Sequence, residues 1–574
     1  MSQHNLTKDE ITEIINGLGY FHNIQPYTGS LLSKRKLHAA FTFVETINEV
    51  ETTMIVGFDI EFPLSMPSYF IKEYDSYKFI PHIERDGKVC YTHDDYVFLD
   101  ADRPSEIITE THELAKNTIE KGLKNENTLD FANEFEAYWN RIDGHEEIWG
   151  NINLVNTPEI ISVGFRSDVR FAVSSGNNHA EIIGRFVDLE KKGITYQNAF
   201  FIPLTLFGEM VPPKYCEPVS ISYVKSLLDM LGEKERKQLN KLLQGTTKKE
   251  EYVFFSFKQP NGAFSIFGIK FSHIKSSGHP LIATEFEGQI TPVNIQRIDK
   301  EYLYQRGGTG ECSSNKKGLI IGGGSVGGFI TEELVRNGFF DLTIVDRDDL
   351  SSDNCYRHLT GFTHIGKNKA AAIKLKVERY YPHCKITSIE TGIEESLRKK
   401  KIDISLYDFI VVATGNVTVN TYLNKIFIHE FPGKPVFYSW NDPYGIGGHC
   451  LVTNIEPKGC YRCIYTNDDY YNMASFAHNK QTKTFLKNVS GCGSVYTPYG
   501  SIHSVETCLI TVKKIIEVMN GRIDKNGIYS WKGDSTVFLK EGFNTSERFK
   551  MTEAELDERK NSFANDKCTA CKKI

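Results

Sequence analysis

The residues best suited to chemistry in this sequence lie between Lys317 and Lys369. A hydrophobic run, GLII, leads into a turn in which Gly322, Gly324 and Gly327 have the spacing of a dinucleotide-binding loop. Such glycines permit a tight turn and let phosphate groups approach the backbone at the start of a helix. On these glycines alone, an NAD site and an ATP site remain equally open.

The polar residues after this turn favour ATP. Asp346 ends the next hydrophobic run, where a carboxylate can hold ribose hydroxyls, and Asp348 follows it. Asn354 and Arg357 are one helical turn apart, and Lys369 begins the helix-like segment KAAAIKLKVERYY. Cations around a triphosphate stabilise phosphoryl or adenylyl transfer, whereas hydride transfer does not need them. We therefore predict an ATP site that activates a carboxylate.

This combination resembles the adenylation domain of ubiquitin-activating enzymes and of their bacterial relatives in thiamine and molybdopterin biosynthesis. The motifs that carry the resemblance are Asp346-x-Asp348, Asn354-x-x-Arg357 and Gly366-x-x-Lys369. The resemblance implies that ATP and magnesium bind, that a C-terminal carboxylate attacks the α-phosphate and that pyrophosphate leaves. It also implies that the first aspartate holds the ribose, while the arginine, the lysine and the asparagine neutralise the phosphates.

One position departs from that family. Its members usually carry Thr-Asp-Asn after the fourth strand, with the aspartate as a magnesium ligand. Here the segment reads ATGN, with Gly415 in place of the aspartate and Asn416 retained. Asn416 stays a candidate for nucleotide binding, and Asp348 or Asp442 becomes the candidate magnesium ligand. Arg306 resembles the arginine that this family donates across a dimer interface.

Four cysteines form two widely separated CxxC pairs: Cys460, Cys463, Cys568 and Cys571. Four thiolates on two tight turns suit a tetrahedral structural zinc ion. The alternative is two unrelated pairs, one of them redox-active. The same two pairs occur in many activating-enzyme relatives, where they tie the end of the chain to the core.

Two further cysteines are candidate nucleophiles. Cys492 lies in the glycine-flanked segment SGCGS, whose adaptable backbone suits a thiol that attacks a bound acyl-adenylate. A buried, inert cysteine is the alternative there, and it is our prediction for Cys508 in the apolar run TCLITV. The segment IPHIERDGKVC, which ends at Cys90, resembles the active-site segment of ubiquitin-conjugating enzymes. In that resemblance His82 takes the place of the asparagine that stabilises the oxyanion.

The length of 574 residues predicts two to four domains. We predict an α+β conjugating-like domain over residues 1–150 and an α+β middle domain over 151–305. Residues 306–574 alternate strands and helices, which predicts an α/β, Rossmann-like adenylation domain with a parallel-rich sheet. We identify no chemistry in the middle domain, whose charged segment GEKERKQLNKLL is predicted to be a solvated helix.

The composition argues against several classes of protein. A net charge of −6 without a basic arm does not favour a nucleic-acid partner. The sequence shows no apolar run long enough for a membrane span. The polar start MSQHNLTKDE is unlike a signal peptide, so we expect a cytoplasmic protein whose cysteines are thiols, metal ligands or catalytic groups.

The domain order resembles the fusion transferases of CBASS, the bacterial cyclic-oligonucleotide anti-phage system. The resemblance covers 1–150 and 306–574, and the middle only by length and position. It implies that the C-terminal tail of a cGAS-like nucleotidyltransferase is adenylated, carried on Cys492 and then Cys90, and joined to a target lysine by a homodimeric enzyme. The alternatives are a sulfur-carrier adenylyltransferase and an inactive binding scaffold, which Gly415 alone favours.

Overall fold

The protein is described here by a computed structural model, in which the chain folds into two compact units. Among the described residues, one unit ends at Asp299 and the other begins at Lys300. The description covers the whole chain except residues 1–5, 93–96, 167–168, 175–193, 206–209, 245–247, 308–314, 466–471, 479–482, 489–494 and 572–574.

The first part of the first unit is built on a four-stranded antiparallel meander. Its strands, in spatial order, are β1 (His22–Pro26), β2 (Ala39–Ile47), β3 (Val50–Phe58) and β4 (Ser68–Ile71). The helix Pro104–Leu123 covers one face of the sheet, where Ile108, Ala115 and Ile119 are fully buried. Their spacing follows the helical repeat, so a single apolar stripe meets the sheet.

A closed barrel of seven strands completes the first unit. The barrel strands are β5 (Glu146–Asn151), β6 (Glu159–Arg166), β7 (Val169–Val173), β8 (Thr195–Leu204), β9 (Glu250–Lys258), β10 (Phe264–Lys275) and β11 (Glu287–Arg297). Neighbouring strands follow the order β10, β11, β5, β7, β6, β8, β9. Because β5 crosses position 150 and pairs with β11 and β7, residues on both sides of the predicted domain boundary belong to the barrel. The boundary itself stays a prediction.

Short helices link the meander to the barrel and flank it. The rings of Phe135 and Trp139 each lie 4.7 Å from the ring of Phe267 on β10. The indole N–H of Trp139 donates to the carbonyl of Val293 on β11 at 3.2 Å. The remaining helices of this unit are Lys8–Gly17, Leu31–Lys34, Asp130–Asn133, Phe135–Trp139, Ile221–Leu227 and Glu233–Leu243, the last matching the predicted charged helix.

The second unit is built on a seven-stranded sheet. Its strands are β12 (Lys317–Ile321), β13 (Asp341–Val345), β14 (Lys385–Ile389), β15 (Phe409–Val412), β16 (Val436–Asn441), β17 (Gly447–Thr453) and β20 (Gly527–Lys532). The order is β14, β13, β12, β15, β16, β17, β20. The first five strands are parallel and the last two pair antiparallel. A small ladder joins β18 (Lys487–Asn488) to β19 (Val495–Tyr496).

Helices cover both faces of this sheet. On β12, Ile320 packs into one apolar cluster while Leu319 and Ile321 pack into another, as the alternation of a strand requires. The predicted α/β, Rossmann-like fold with a parallel-rich sheet is therefore confirmed. The helices are Lys300–Gly307, Ser325–Arg336, Lys369–Tyr380, Ile393–Arg398, Val417–Glu430, Ser501–Met519, Thr536–Lys540, Glu547–Lys550 and Glu553–Glu558.

Over the described part of the chain, every helix is too short or too polar to cross a bilayer.

Candidate active sites

The glycine turn joins β12 to the helix Ser325–Arg336. Gly322 has φ +100°, and a Cβ there would lie 2.6 Å from the carbonyl oxygen of Ala413. A side chain at Gly327 would collide with the carbonyl of Gly322, so close packing of the helix on the strand requires glycine there too. Gly324 caps the helix, and the space beside it is open. The turn thus presents backbone N–H groups of a helix N-terminus to a cavity, as an anion site requires.

Asp346 supports this turn from the end of β13. Its carboxylate accepts hydrogen bonds from the backbone N–H of Gly323 at 2.6 Å and of Asp348 at 2.8 Å. Burial disfavours the charged form, so the pKa of Asp346 lies above its ordinary value. Asp348 is exposed, and its carboxylate lies 3.1 Å from the ammonium group of Lys369. The ribose-binding role of Asp346 stays a prediction.

A cavity of about 570 Å³ opens in front of the turn, and Asn354, Arg357 and Lys369 all line it together with Gly324. The guanidinium of Arg357 lies 5.3 Å from the ring centre of Tyr499, which holds it by a cation–π contact. Two positive side chains and a helix N-terminus therefore converge on one space. Such a field stabilises the charge that develops on phosphate oxygens. The residues that line this cavity are therefore suited to bind the phosphates of ATP.

His358 lines the same cavity and was missed by sequence reasoning. It is buried, and its Nε2 lies 2.7 Å from the carbonyl oxygen of Gly323. Because a carbonyl only accepts, Nε2 carries the proton and Nδ1 faces Thr360 at 3.0 Å. Burial lowers the pKa of His358, which favours this neutral form. The residue follows Arg357 directly in the sequence, but its contact with the turn is visible only in the fold.

The two candidate magnesium ligands, Asp348 and Asp442, lie in different surroundings. Asp442 is buried, and it accepts from the backbone N–H of Phe476 at 2.6 Å and from the hydroxyl of Ser475 at 3.0 Å. Its carboxylate also lies 3.0 Å from Nε2 of His449. Asp442 is thus engaged inside the fold, whereas Asp348 is exposed beside Lys369, and the identity of the magnesium ligand stays a prediction. The exposed Asp348 remains the better candidate.

Gly415 and Asn416 shape the turn that follows β15. Gly415 has φ +65°, a left-handed conformation that favours glycine, and the space around it is open. The side chain of Asn416 accepts a hydrogen bond from the backbone N–H of Val419 at 3.1 Å and caps the helix Val417–Glu430. Asn416 is exposed, and its proposed contact with the nucleotide stays a prediction.

The two CxxC pairs come together as one buried cluster. All four sulfur atoms lie within 4.8 Å of one another. Cys460 lies 3.9 Å from Cys463 and 3.8 Å from Cys568, and Cys463 lies 3.5 Å from Cys571. Tetrahedral zinc with bonds of about 2.3 Å sets its sulfur ligands about 3.8 Å apart, so the cluster fits that ion.

Replacing Cys568 with serine is expected to lower the zinc content of purified, dialysed protein from about one ion per chain to nearly none. One of four thiolates is lost, and structural zinc sites depend on the full set. Metal analysis by mass spectrometry measures the effect, and a lower melting temperature should accompany it. Cys216→Ser is the matched control, because Cys216 is exposed and lies outside the cluster. Full zinc occupancy in Cys568→Ser would rule out the cluster as the site.

Cys90 lies in the first unit at the end of a tight hairpin. Ile83 pairs with Val89, and the backbone N–H of Cys90 donates to the carbonyl of His82 at 2.7 Å. Gly87 turns the hairpin with φ +84°, where a side chain would collide with the carbonyl of Ile71. Cys90 is exposed and lines a cavity of about 680 Å³. The hairpin therefore presents its thiol to solvent.

His82 stands across the same cavity with both ring nitrogens engaged. Nε2 lies 2.9 Å from a carboxylate oxygen of Asp130, and Nδ1 lies 3.4 Å from one of Glu134. Hydrogen bonding to Glu134 and Asp130 raises the pKa of His82 to about 9, against the effect of burial. The ring is thus a cation at neutral pH. A hydrogen bond from it to an oxyanion would replace one of these two contacts.

The segment between β8 and the helix Ile221–Leu227 supports the Cys90 hairpin. The hydroxyl of Tyr215 donates to the carbonyl of Ile83 at 2.9 Å, and the ammonium of Lys214 donates to the carbonyl of Asp75 at 2.8 Å. Tyr215 also packs edge-on against Phe79, with ring centres 5.8 Å apart. A domain without evident chemistry in the sequence therefore holds the predicted nucleophile in place.

Three further residues singled out in the sequence are Cys492, Cys508 and Arg306. Cys492 lies outside the described residues, so its role stays a prediction. Cys508 is buried in the helix Ser501–Met519, as predicted for a core residue. Arg306 is exposed in the last turn of the helix Lys300–Gly307.

Two family models match separate parts of the chain. The ThiF family model matches residues 309–538, and the model of prokaryotic E2 family B matches residues 22–146. The first match contains the glycine turn and Lys369, and the second contains Cys90. An activating-type domain and a conjugating-type domain are thus joined in one polypeptide.

Curated relatives share this joined arrangement. The ATP-dependent ubiquitin transferase-like protein Cap2 of Pseudomonas aeruginosa is 22% identical over an aligned length of 462, and the match covers 77% of this chain and 80% of the relative. The Cap2 of Escherichia coli is 23% identical over an aligned length of 538, and the match covers 83% of this chain and 87% of the relative. The chain is thus similar to Cap2 proteins over most of its length, with a ThiF-type match and a prokaryotic E2-type match in one polypeptide.

As a Cap2-type protein the chain is an enzyme, an ATP-dependent transferase of the ubiquitin-like activating class. Among solved structures, E. coli MccB is similar with a TM-score of 0.33 and 14% identity, over 46% of this chain and 67% of that one. The ThiF-type fold implies that ATP and magnesium are used in the second unit.

Proposed function

We propose that this Cap2-like enzyme adenylates the C-terminal carboxylate of a partner protein and conjugates it to an amine through two cysteine thioesters. The observation that carries the proposal is that one chain contains both a cationic nucleotide cavity and an exposed thiol on a conjugating-type hairpin. An enzyme that only forms an adenylate needs no thiol at position 90. In this proposal Cys90 is the second carrier of the activated carboxylate, after Cys492.

The first step takes place at the cavity of the second unit. The carboxylate of the partner attacks the α-phosphorus of ATP, and pyrophosphate leaves. Arg357 and Lys369 bind the phosphates, and the N-terminus of the helix Ser325–Arg336 faces the same oxygens. His358 and Asp346 hold the glycine turn in shape from beneath. Magnesium, when bound, adds positive charge, with Asp348 as the candidate ligand.

The second step moves the acyl group between sulfur atoms. Cys492 attacks the adenylate and AMP leaves, which forms a thioester on the sequence segment SGCGS. Cys90 then attacks that thioester, and an amine finally attacks the Cys90 thioester to form an amide. Each thioester keeps the activation supplied by ATP and divides one difficult transfer into easier ones.

The partner in this proposal is a cGAS-like nucleotidyltransferase, the acceptor is a lysine of a target protein, and the setting is anti-phage defence by a homodimer. What supports this finer assignment is the resemblance to the CBASS fusion transferases, together with the Cap2 relatives. The proposed reaction itself requires only a partner whose C-terminal carboxylate is free to enter the cavity.

The order of the two cysteines can be tested on the full chain with ATP, magnesium and the partner. The wild type is expected to give thiol-sensitive adducts at both cysteines, located by peptide mass spectrometry. Cys492→Ala is expected to remove both adducts while leaving pyrophosphate exchange intact, because adenylation precedes it. Cys216→Ala, at an exposed cysteine, is the control.

A normal Cys90 adduct in Cys492→Ala would show direct transfer from the adenylate. Exchange without any adduct would favour the sulfur-carrier alternative.

A further inference from the structure

The thiol of Cys90 is hydrogen-bonded in this structure. Its sulfur lies 3.5 Å from Oε1 of Glu84, and the carboxylate is the acceptor. Glu84 stands near the opposite end of the same tight hairpin, which brings the two side chains to one side of the turn. The carboxylate therefore already contacts the atom that must form a bond to an incoming acyl group.

Two arginines hold Glu84 in place and keep it ionised. Arg35 donates to Oε2 at 2.7 Å, and Arg141 lies 3.7 Å from Oε1. Burial raises the pKa of Glu84, but the hydrogen bond and charge of Arg35 and the charge of Arg141 outweigh it, so the pKa lies below its ordinary value. A carboxylate that stays charged near neutral pH is available to accept a proton throughout that pH range.

We infer that Glu84 is a further catalytic residue, which orients the Cys90 thiol by a hydrogen bond and accepts its proton as the sulfur attacks a thioester. The inference rests on the proposed function, in which Cys90 receives the acyl group. It adds the group that removes the proton, and neither the sequence motif nor the family models indicate such a group at this position.

The step balances as follows in atoms and charge. The sulfur of Cys90 bonds to the thioester carbonyl carbon while its proton moves to Oε1 of Glu84. The bond from that carbon to the donor sulfur then breaks, and the donor leaves as a thiol after taking a proton from Glu84, directly or through water. Because Cys90 in the resting enzyme is a weaker acid than Glu84, the proton moves only as the sulfur–carbon bond forms and the sulfur becomes acidic.

The resting state of the thiol agrees with this arrangement. Desolvation by the cavity walls, together with the adjacent Glu84 carboxylate, raises the pKa of Cys90 to about 11. At neutral pH almost all of the enzyme therefore holds a thiol, and a reaction through free thiolate draws on a very small fraction. Other charged or titratable groups surround the thiol. Lys88 and Tyr91 are its neighbours in sequence, and Arg141, Tyr138 and Tyr215 lie nearby; His82, Lys121, Glu126, Asp130 and Glu134 line the same cavity.

The variant Glu84→Gln distinguishes two possible roles of Glu84, which are to accept the proton of the thiol and to repel negative charge on the sulfur. The first role predicts slower transfer in the variant, and the second predicts a more reactive thiol. Loss of the negative charge lowers the pKa of the thiol, so alkylation of Cys90 by iodoacetamide at pH 7 is expected to rise by up to about tenfold. Loss of the proton acceptor is expected to slow transfer of the partner from Cys492 to Cys90 by at least about tenfold at the same pH. The wild-type transfer rate should be nearly flat from pH 6 to 8, whereas the variant rate should rise steadily with pH as thiolate forms.

Asp86→Asn is the matched control. Asp86 lies on the same hairpin and binds the same guanidinium of Arg35 at 2.7 Å, but the thiol donates to Glu84 and not to Asp86. Both rates should stay within about twofold of the wild type. Faster transfer in Glu84→Gln would make Glu84 a charge that only restrains the thiol, and equal effects in both variants would make it a structural support. Either result overturns the inference. If the wild type forms no Cys90 thioester at all, the proposed function fails, while the alkylation result still reports on the contact between Glu84 and Cys90.

Discussion

Replacing Cys90 with alanine is expected to abolish conjugation of the partner to its target while leaving ATP-dependent pyrophosphate exchange within about twofold of the wild type. The exchange reaction needs only the cavity of the second unit, in which Cys90 has no part. Conjugation in the proposed relay needs a nucleophile at position 90, and a methyl group cannot form a thioester. Covalent product on gels and exchange of labelled pyrophosphate measure the two activities separately.

The fold should tolerate this variant. Cys90 is exposed at the rim of its cavity, so the substitution leaves no buried void. Cys216→Ala, at another exposed cysteine, is the control and should conjugate normally. Full conjugation by Cys90→Ala would show that the amine attacks the Cys492 thioester or the adenylate, and the two-thiol relay would then be wrong.

Lys369→Ala is expected to lower kcat/KM for ATP in pyrophosphate exchange by about 100- to 1000-fold, the usual effect of removing one electrostatic donor from a transition state. The ammonium of Lys369 is largely buried beside the cavity that Arg357 also lines. Without it, the charge on the phosphate oxygens and on the leaving pyrophosphate is less well balanced. Isotope exchange at several ATP concentrations separates a loss in kcat from a rise in KM.

The melting temperature should change little in this variant. Lys369 begins the helix Lys369–Tyr380, where a positive charge opposes the helix dipole, and its partner Asp348 is exposed. Arg379→Ala removes an exposed positive charge from the far end of the same helix and serves as the control. Unchanged exchange in Lys369→Ala would show that the nucleotide is activated elsewhere, and the assignment of this cavity would fall.

Gly415 stands at the position where an aspartate was expected as a magnesium ligand. The glycine adopts a left-handed backbone conformation with open space around it, so the turn is intact without a carboxylate. The carboxylate oxygens of Asp442 contact Phe476, Ser475 and His449 inside the fold, which makes the exposed Asp348 the better candidate ligand. A magnesium ion here would depend on Asp348 and on the phosphates of ATP, which fits the preference of magnesium for few protein ligands.

Much about this protein could be decided from local patterns. The strand, glycine turn and helix around Gly322 are encoded in a short contiguous segment, because backbone conformation and close packing both exclude side chains there. Alternating strands and helices predicted the parallel-rich sheet, and the two CxxC pairs predicted a cluster that the fold assembles. These features depend on neighbouring residues or on spacings with one dominant physical solution.

The tertiary structure decided what depends on residues far apart in the chain. Periodicity predicts a strand but not its partner, so the closure of seven strands into a barrel was not foreseen. His82 was predicted as an oxyanion donor, yet Asp130 and Glu134, which engage both of its nitrogens, lie on a separate helical segment. The hairpin places Glu84 beside Cys90, but Arg35 and Arg141, which hold its carboxylate, lie far from it in the sequence. The sequence alone could predict candidate groups for the chemistry, whereas their protonation and partners follow from long-range packing.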